Sequence, residues 1–217
     1  MAGYRRADDL PQVFPVFPLD RALVLPRSPL PLQIFEPRYL NMVDDVMAGD
    51  RIIGMVQTRP GGERARPRLA GVGCAGRITS YAETPDGRYR ITLTGVCRFE
   101  IAEELSAMTP YRQVRAVFAP YEADLAEPVP PFPDRARLSR ALRRYLNHRS
   151  YDIDWDSANN APLEPLVNSL CMGLPFDVAE KQALLEARDF ADRVEVLTVM
   201  LEIGAAEDDD DEPRPLQ

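Results

Sequence analysis

The sequence predicts an α+β fold: a β pseudobarrel with one inserted helix, followed by a C-terminal helical subdomain. Three observations predict it. Between residues 13 and 118 the apolar residues fall in short runs or in strict alternation, patterns that suit strands and are too short for helices. Within that region one stretch, Pro37 to Met47, has helical spacing. After the proline-rich EPVPPFP at 127–133 the spacing becomes three-to-four and stays so. The units expected are a barrel over 10–120, a linker over 121–133, a helical part over 134–204 and an acidic tail over 205–217.

Taken in order, VFPVF at 13–17 is a first strand. The runs around Val24 and from Leu32 to Phe35 lie among Pro18, Pro26, Pro29 and Pro31, and proline donates no ladder hydrogen bond. They are strands or extended segments at sheet edges or bends. Glu36 stands at a helix entrance and Pro37 at its first position, where a missing N–H costs nothing. Leu40, Val43 and Met47, joined by Met42 and Val46, mark the buried face, and Gly49 is placed to end the helix as a left-handed cap. RIIGMVQ at 51–57 is a strand. From Thr58 to Ala70 the pattern dissolves into Pro60, Gly61, Gly62 and Pro67 with Arg59, Arg64, Arg66 and Arg68, which reads as an exposed, mobile basic loop. Asp86-Gly87 marks a hairpin, Tyr89, Ile91 and Leu93 alternate with polar residues, and Phe99 and Ile101 resume the alternation past Gly95. A last strand, YRQVRAVF, turns Val114, Ala116 and Phe118 inward. About six to eight strands suit a closed or nearly closed barrel.

In the helical part, Leu138, Ala141, Leu142, Tyr145 and Leu146 share one face of a helix that starts near Asp134, with Arg137, Arg140 and Arg144 opposite. Asp177 and Glu180 form a capping box. The long helix after it presents Leu184, Ala187, Ala191, Val194, Leu197 and Leu201 and stops at Gly204. The like-charge run EDDDDE at 207–212 has nothing to bury and is expected to be disordered.

Three stretches carry a resemblance: PLQIFEPRYLNMV at 31–43, PDGRYRITLTGVCRFEI at 85–101 with its Gly95, Arg98 and Phe99, and LVNSLCMGLPFDVAEKQALLEA at 166–187. Over residues 10 to 204 the chain resembles the N-terminal, substrate-binding domain of the Lon protease family. The resemblance implies a PUA-like pseudobarrel with a helical part that helps deliver polypeptide substrates. No counterpart of the family's ATPase or Ser-Lys peptidase domain is present, so a solitary, non-catalytic, cofactor-free module is expected. It would hold unfolded or exposed apolar polypeptide segments, at a free strand edge or in an apolar trough between barrel and helices. Glu36, Arg38, Tyr39 and Phe99 are the candidate contacts; the competing reading has Glu36 and Arg38 bracing the helix on the barrel while Tyr39 packs. Two alternatives stay open: an RNA-binding module, in which Arg59, Arg64, Arg66 and Arg68 join the arginine face of the first late helix in one positive patch, and an adaptor or regulator of a separate Lon protease.

Composition narrows the classes. A formal net charge of -8 and the absence of aromatics among the loop arginines argue against a dedicated nucleic-acid binder. MAGYRRADDLPQ lacks a signal-peptide centre and VEVLTVMLEIGAA is interrupted by Glu195 and Glu202, so a cytoplasmic protein without membrane segments is expected. Cys74, Cys97 and Cys171 are odd in number and far apart, which suits buried thiols rather than disulfides or zinc ligands. Lys181, the chain's lysine, follows Glu180, so no phosphate loop exists, and it reads as a solvated helix residue. His148 has no second histidine with which to share a metal and sits at a helix end where the dipole favours a cationic ring. Asp152, Asp154 and Asp156 imitate half a calcium loop, but Ser157 replaces the glycine and Leu163 the final glutamate. Trp155 among them reads as a packing anchor with a wet edge.

Overall fold

The computed structural model describes residues 4–63, 66–127, 133–149 and 153–211. In the first half, β1 (Val13–Pro18), β2 (Pro29–Ile34), α1 (Pro37–Met47), β3 (Ile52–Val56), β4 (Thr58–Glu63), β5 (Arg66–Leu69), β6 (Val72–Glu83), β7 (Tyr89–Leu105) and β8 (Arg112–Val117) follow in order. A 3-10 helix, Ala119–Leu125, leads to α2 (Arg135–His148), α3 (Trp155–Asn160), α4 (Leu163–Gly173), α5 (Val178–Glu186) and α6 (Phe190–Asp211).

The barrel closes because β7 is 17 residues long and changes neighbours along its length. Its first part pairs with β6, its end pairs with β8, and β6, β3, β1 and β8 complete the ring; β1 and β3 run parallel, the other pairs antiparallel. A register shift beside Val96, where Ala75 opposes Cys97 and Gly76 opposes Gly95, gives β7 the bend that closure needs. β2 lies outside the ring and pairs with β7 alone, which is why it tolerates Pro29 and Pro31. Gly95 N–H donates to the Ser28 carbonyl at 3.0 Å. By antiparallel alternation Leu30 and Leu32 also turn their backbone groups to β7, and Pro29 and Pro31 turn theirs to the free edge. The chain crosses Gly95 so closely that a Cβ there would lie 2.0 Å from the Leu25 carbonyl oxygen.

Side chains alternate between two cores. Phe14, Val16, Ile52, Ala75, Cys97, Phe99, Val114 and Phe118 fill the barrel, with the Phe14 and Phe99 rings edge to face at 5.0 Å. Their neighbours Phe17, Ile53, Cys74 and Leu93 face outward into a second core, which α1 and the helical part cover with Met42, Val43, Leu138, Leu142, Val167, Leu184, Leu197 and Leu201. Helix α1 starts at Glu36 and Pro37 as expected, and buries Tyr39, Met42, Val43 and Val46, leaving Leu40 and Met47 half-buried at its margin.

Five expectations are corrected. The basic segment after Thr58 is a pair of antiparallel strands, β4 and β5, and not a loop; Gly61 (φ 99°) and Gly62 (φ 85°) lie within β4 where its register with β5 shifts, a bulge whose glycines look unstructured in the sequence. Gly49 is no left-handed cap: the left-handed residue is Arg51 (φ 61°), whose N–H reaches the Val46 carbonyl at 3.0 Å. The helix begun by the Asp177–Glu180 capping box breaks after Glu186, and α6 restarts with Asp189 accepting from the Asp192 N–H at 2.8 Å. Gly204 does not end α6, which runs to Asp211, so the beginning of the acidic tail is helical; the glycine instead lets the helix touch Tyr145, whose ring would lie 2.8 Å from an added Cβ. Lys181 is buried, not solvated, and its Nζ donates to the Met172 carbonyl at 2.8 Å. The expected linker begins with the 3-10 helix, and its residues 128–132 lie outside the described residues, as do 212–217.

Arg98 joins these parts. It is 2% exposed, and its guanidinium meets Asp124 of the 3-10 helix side-on, with Nε at 2.7 Å and Nη2 at 2.8 Å from the two carboxylate oxygens. Its Nη1 donates to the carbonyls of Leu185, at 2.9 Å, and Ala187, the Tyr121 ring lies 4.4 Å below, and Nη2 reaches the Arg188 carbonyl at 3.4 Å. The break between α5 and α6 is therefore shaped to Arg98.

Two outcomes are expected. Removing one partner of a buried, fully bonded ion pair strands the other, so Arg98→Met should lower the unfolding free energy by about 3–5 kcal/mol in urea titration, while exposed Arg59→Ala changes it by less than about 0.5 kcal/mol. Burial pushes the Cys74 and Cys171 thiols up to about 12 and raises Cys97 as well. Thiol titration at pH 8 should therefore find none of the three reactive in the native protein and all three reactive in denaturant.

Candidate binding site

A cleft of about 440 Å³ opens where β2 faces α4. Pro29, Leu30 and Pro31 form one wall, and Pro165, Asn168, Ser169 and Met172 the other. The two walls are held by Arg27, a left-handed residue at φ 64°, whose Nε and Nη2 lie 2.9 and 2.5 Å from Oε1 of Glu164 and whose Nη1 donates to the Asp124 carbonyl. A non-glycine residue in that conformation is strained, and here the ion pair compensates for it. Asn168, 1% exposed, adds a second tie: its Nδ2 donates to the Pro26 carbonyl at 3.2 Å and to Ser28 Oγ at 3.0 Å. Because Pro26 offers only an acceptor, the amide orientation is set, and Oδ1 is left without a partner. The cleft thus combines apolar walls with the carbonyl edge of Pro29 and Pro31, the Asn168 Oδ1 being buried behind it.

The residues singled out by sequence lie elsewhere. Glu36 and Arg38 form an exposed ion pair at 2.8 Å, Arg38 stacks on the Tyr39 ring at 4.5 Å, and Tyr39 is buried against Phe17 at 4.2 Å. Burial raises the Tyr39 pKa. Tyr39 thus packs, while the charged groups of Glu36 and Arg38 engage each other and the Tyr39 ring. Phe99 is 0% exposed inside the barrel, because its place on β7 turns it inward opposite Gly73, so it offers no surface to a ligand. Tyr39 and Phe99 belong to different cores, so the four candidates do not converge.

The basic candidates are largely spoken for. Arg66 pairs with Glu104 at 2.5 Å, Glu104 also takes Arg112 at 2.6 Å, and these contacts hold its carboxyl below the usual range. Arg68 packs along Gly61, Arg59 is exposed, and Arg64 lies outside the described residues. On α2, Arg137 lies between Glu195 at 2.6 Å and Glu202 at 2.9 Å, and Arg140 is 3.9 Å from Asp134. Asp154 caps α3 through Ser157 at 3.0 Å, while half-buried Trp155 lies under Arg143 at 4.0 Å; Asp152 and the His148 side chain lie outside the described residues. No described helix is long and apolar enough to cross a membrane.

Arg27, Glu164 and Asn168 were missed by sequence reasoning. A usable signal existed for Asn168, the lone amide on the apolar face of LVNSLCMG.

Comparison with known proteins agrees with this architecture. Residues 13–202 match the family of the ATP-dependent protease La (LON) substrate-binding domain. The Lon protease of Syntrophus aciditrophicus is 26% identical over 201 residues, covering 88% of this chain and 25% of that protein. Lon protease 1 of Herpetosiphon aurantiacus is 29% identical over 116 residues, 52% of this chain and 14% of that one. The chain spans about a quarter or less of the length of these relatives. Among solved structures, the Lon N-terminal domain protein from Xanthomonas campestris shares the fold with a TM-score of 0.59 at 23% identity, over 86% of this chain and 97% of that one. The N-terminal domain of the Mycobacterium avium complex Lon protease does so with 0.56 at 17%, over 87% and 97%. With the family matched over nearly the whole described fold, the chain belongs to the Lon substrate-binding domain family.

Proposed function

We propose that this domain binds unfolded or exposed apolar polypeptide segments, without catalysing a reaction on them, in the cleft between β2 and α4. The observation that carries the reading is the pairing of apolar walls, Leu30, Pro165 and Met172, with hydrogen-bond acceptors in one cleft of about 440 Å³, within the size range of ligand sites. Capture by side chains is favoured over strand addition. Pro29 and Pro31 give the free edge of β2 carbonyls but no N–H, and a paired strand would lose half its bonds there. The RNA reading loses support, since Arg66 and Arg137 are each matched by carboxylates and the chain is acidic overall.

Fluorescence anisotropy of a labelled, permanently unfolded polypeptide against the full chain tests the reading. Saturable binding that persists from low to moderate salt is expected, with the folded parent and a single-stranded RNA binding at least tenfold more weakly. Met172→Glu, which sets a charge among the apolar walls, should weaken binding at least tenfold, and Glu36→Ala should leave it unchanged. Equal affinity for folded and unfolded forms, or no effect of Met172→Glu, would remove the cleft from consideration.

A further inference from the structure

The hairpin of β6 and β7 runs on past the closed ring and forms one lip of the barrel mouth. Ala75 faces the barrel interior, so Arg77, two residues along, looks in from the rim, and Thr94 is its cross-strand partner on the same face. Thr79 joins them, its Oγ1 lying 2.8 Å from Oγ1 of Thr94. From the N-terminal side Tyr4 closes in, accepting from Arg77 Nη1 at 2.9 Å. These residues line a cleft of about 330 Å³ whose apolar wall is Val96 and Leu125. Mouths of barrels are frequent ligand sites.

The electrostatics are unbalanced. Arg77 is half-buried, and among the described residues its partner is a neutral phenol rather than a carboxylate. Of the two acids on the cleft wall, Asp124 is consumed by Arg98, and Glu127 is exposed at the rim. A guanidinium offers a planar fork of donors. Tyr4 accepts from Arg77 and so keeps its own hydroxyl proton for an incoming anion. The Thr79–Thr94 pair uses one proton between its two hydroxyls, or Thr79 donates to the Thr92 carbonyl at 3.3 Å, leaving the other hydroxyl to turn toward the anion. We propose that the barrel mouth is an oxyanion-binding site, in which Arg77 takes a carboxylate or phosphate and Tyr4 and the Thr79–Thr94 pair complete its hydrogen bonds. The chemistry is shared by two sources: the terminal carboxylate of a bound polypeptide, whose last side chain would rest on Val96 and Leu125, and free phosphate. The first rests on the polypeptide-binding reading above; the second does not.

The test uses the full chain, its Arg77→Gln and Thr79→Val variants, calorimetric titration with inorganic phosphate, and anisotropy of one unfolded peptide as free acid and as C-terminal amide. A preference of at least tenfold for the acid that Arg77→Gln abolishes assigns the chain end. Phosphate binding that the same variant abolishes, without an acid preference, assigns free phosphate. Thr79→Val should weaken the assigned ligand several-fold with an unchanged melting temperature, and it decides the matter should Arg77→Gln not fold. Equal binding of acid and amide together with no phosphate binding would overturn the site and leave the polypeptide reading standing. If neither peptide form binds, that reading fails, and phosphate decides the mouth by itself.

Discussion

The burial of one guanidinium organises the molecule. Taking Arg98 out of water costs several kcal/mol unless every donor is met, and a half-met one would be worse than an apolar core. The surroundings are built to that requirement: a carboxylate from the 3-10 helix, carbonyls from the end of α5 and from the break before α6, and an aromatic face. Three segments far apart in the chain must therefore meet at one point of β7, and a helical part that could otherwise pack in many ways on an apolar barrel face is fixed in one.

The cleft follows from a second constraint, the exclusion of β2 from the ring. Pro29 and Pro31, two positions apart, strip the edge of β2 away from β7 of its N–H donors, so β2 pairs with the overhanging part of β7 and its other edge is left to something other than a strand. Helix α4 approaches that edge without hydrogen-bonding along it. The tie is made at one end, by Arg27 to Glu164 and by Asn168 to Pro26 and Ser28, so the walls diverge into a cleft. Strain at Arg27 is then a consequence of geometry: the residue must leave Gly95 and turn its side chain toward α4 and the 3-10 helix at once.

Local rules made much of this legible. Glu36-Pro37, Asp86-Gly87, Asp134 and the Asp177–Glu180 box mark their boundaries correctly because each acts within a few residues. The motif of Gly95, Arg98 and Phe99 was visible too, but its roles were not. Gly95 is needed for a chain crossing, Arg98 for a long-range staple and Phe99 for the barrel interior, and each partner is dozens of residues away or on another strand. Alternation tells the two faces of β7 apart without saying which is wet, and at Phe99 and its neighbour Arg98 both are buried. The β4–β5 pair is not legible because its glycines and prolines lie within the strands, at a bulge that only pairing reveals.

The solvated reading of Lys181 failed for a reason that explains the helical part as a whole. Short helices leave their last carbonyls unpaired, and cations are favoured at that end by the dipole. Here the cations come from elsewhere in the fold: Lys181 of α5 on the Met172 carbonyl of α4, Arg193 of α6 on the Leu184 carbonyl, and Arg98 of the barrel on Leu185 and Ala187. Each helix end is thus finished by a different element, inside the protein, where burial lowers the pKa values of Lys181 and Arg193. The lysine grips the same turn of α4 that carries Met172 and Gly173 into the cleft wall. A buried cation therefore holds a backbone carbonyl of the cleft wall, and a charged residue beside a cap carries no local signal that would place it there.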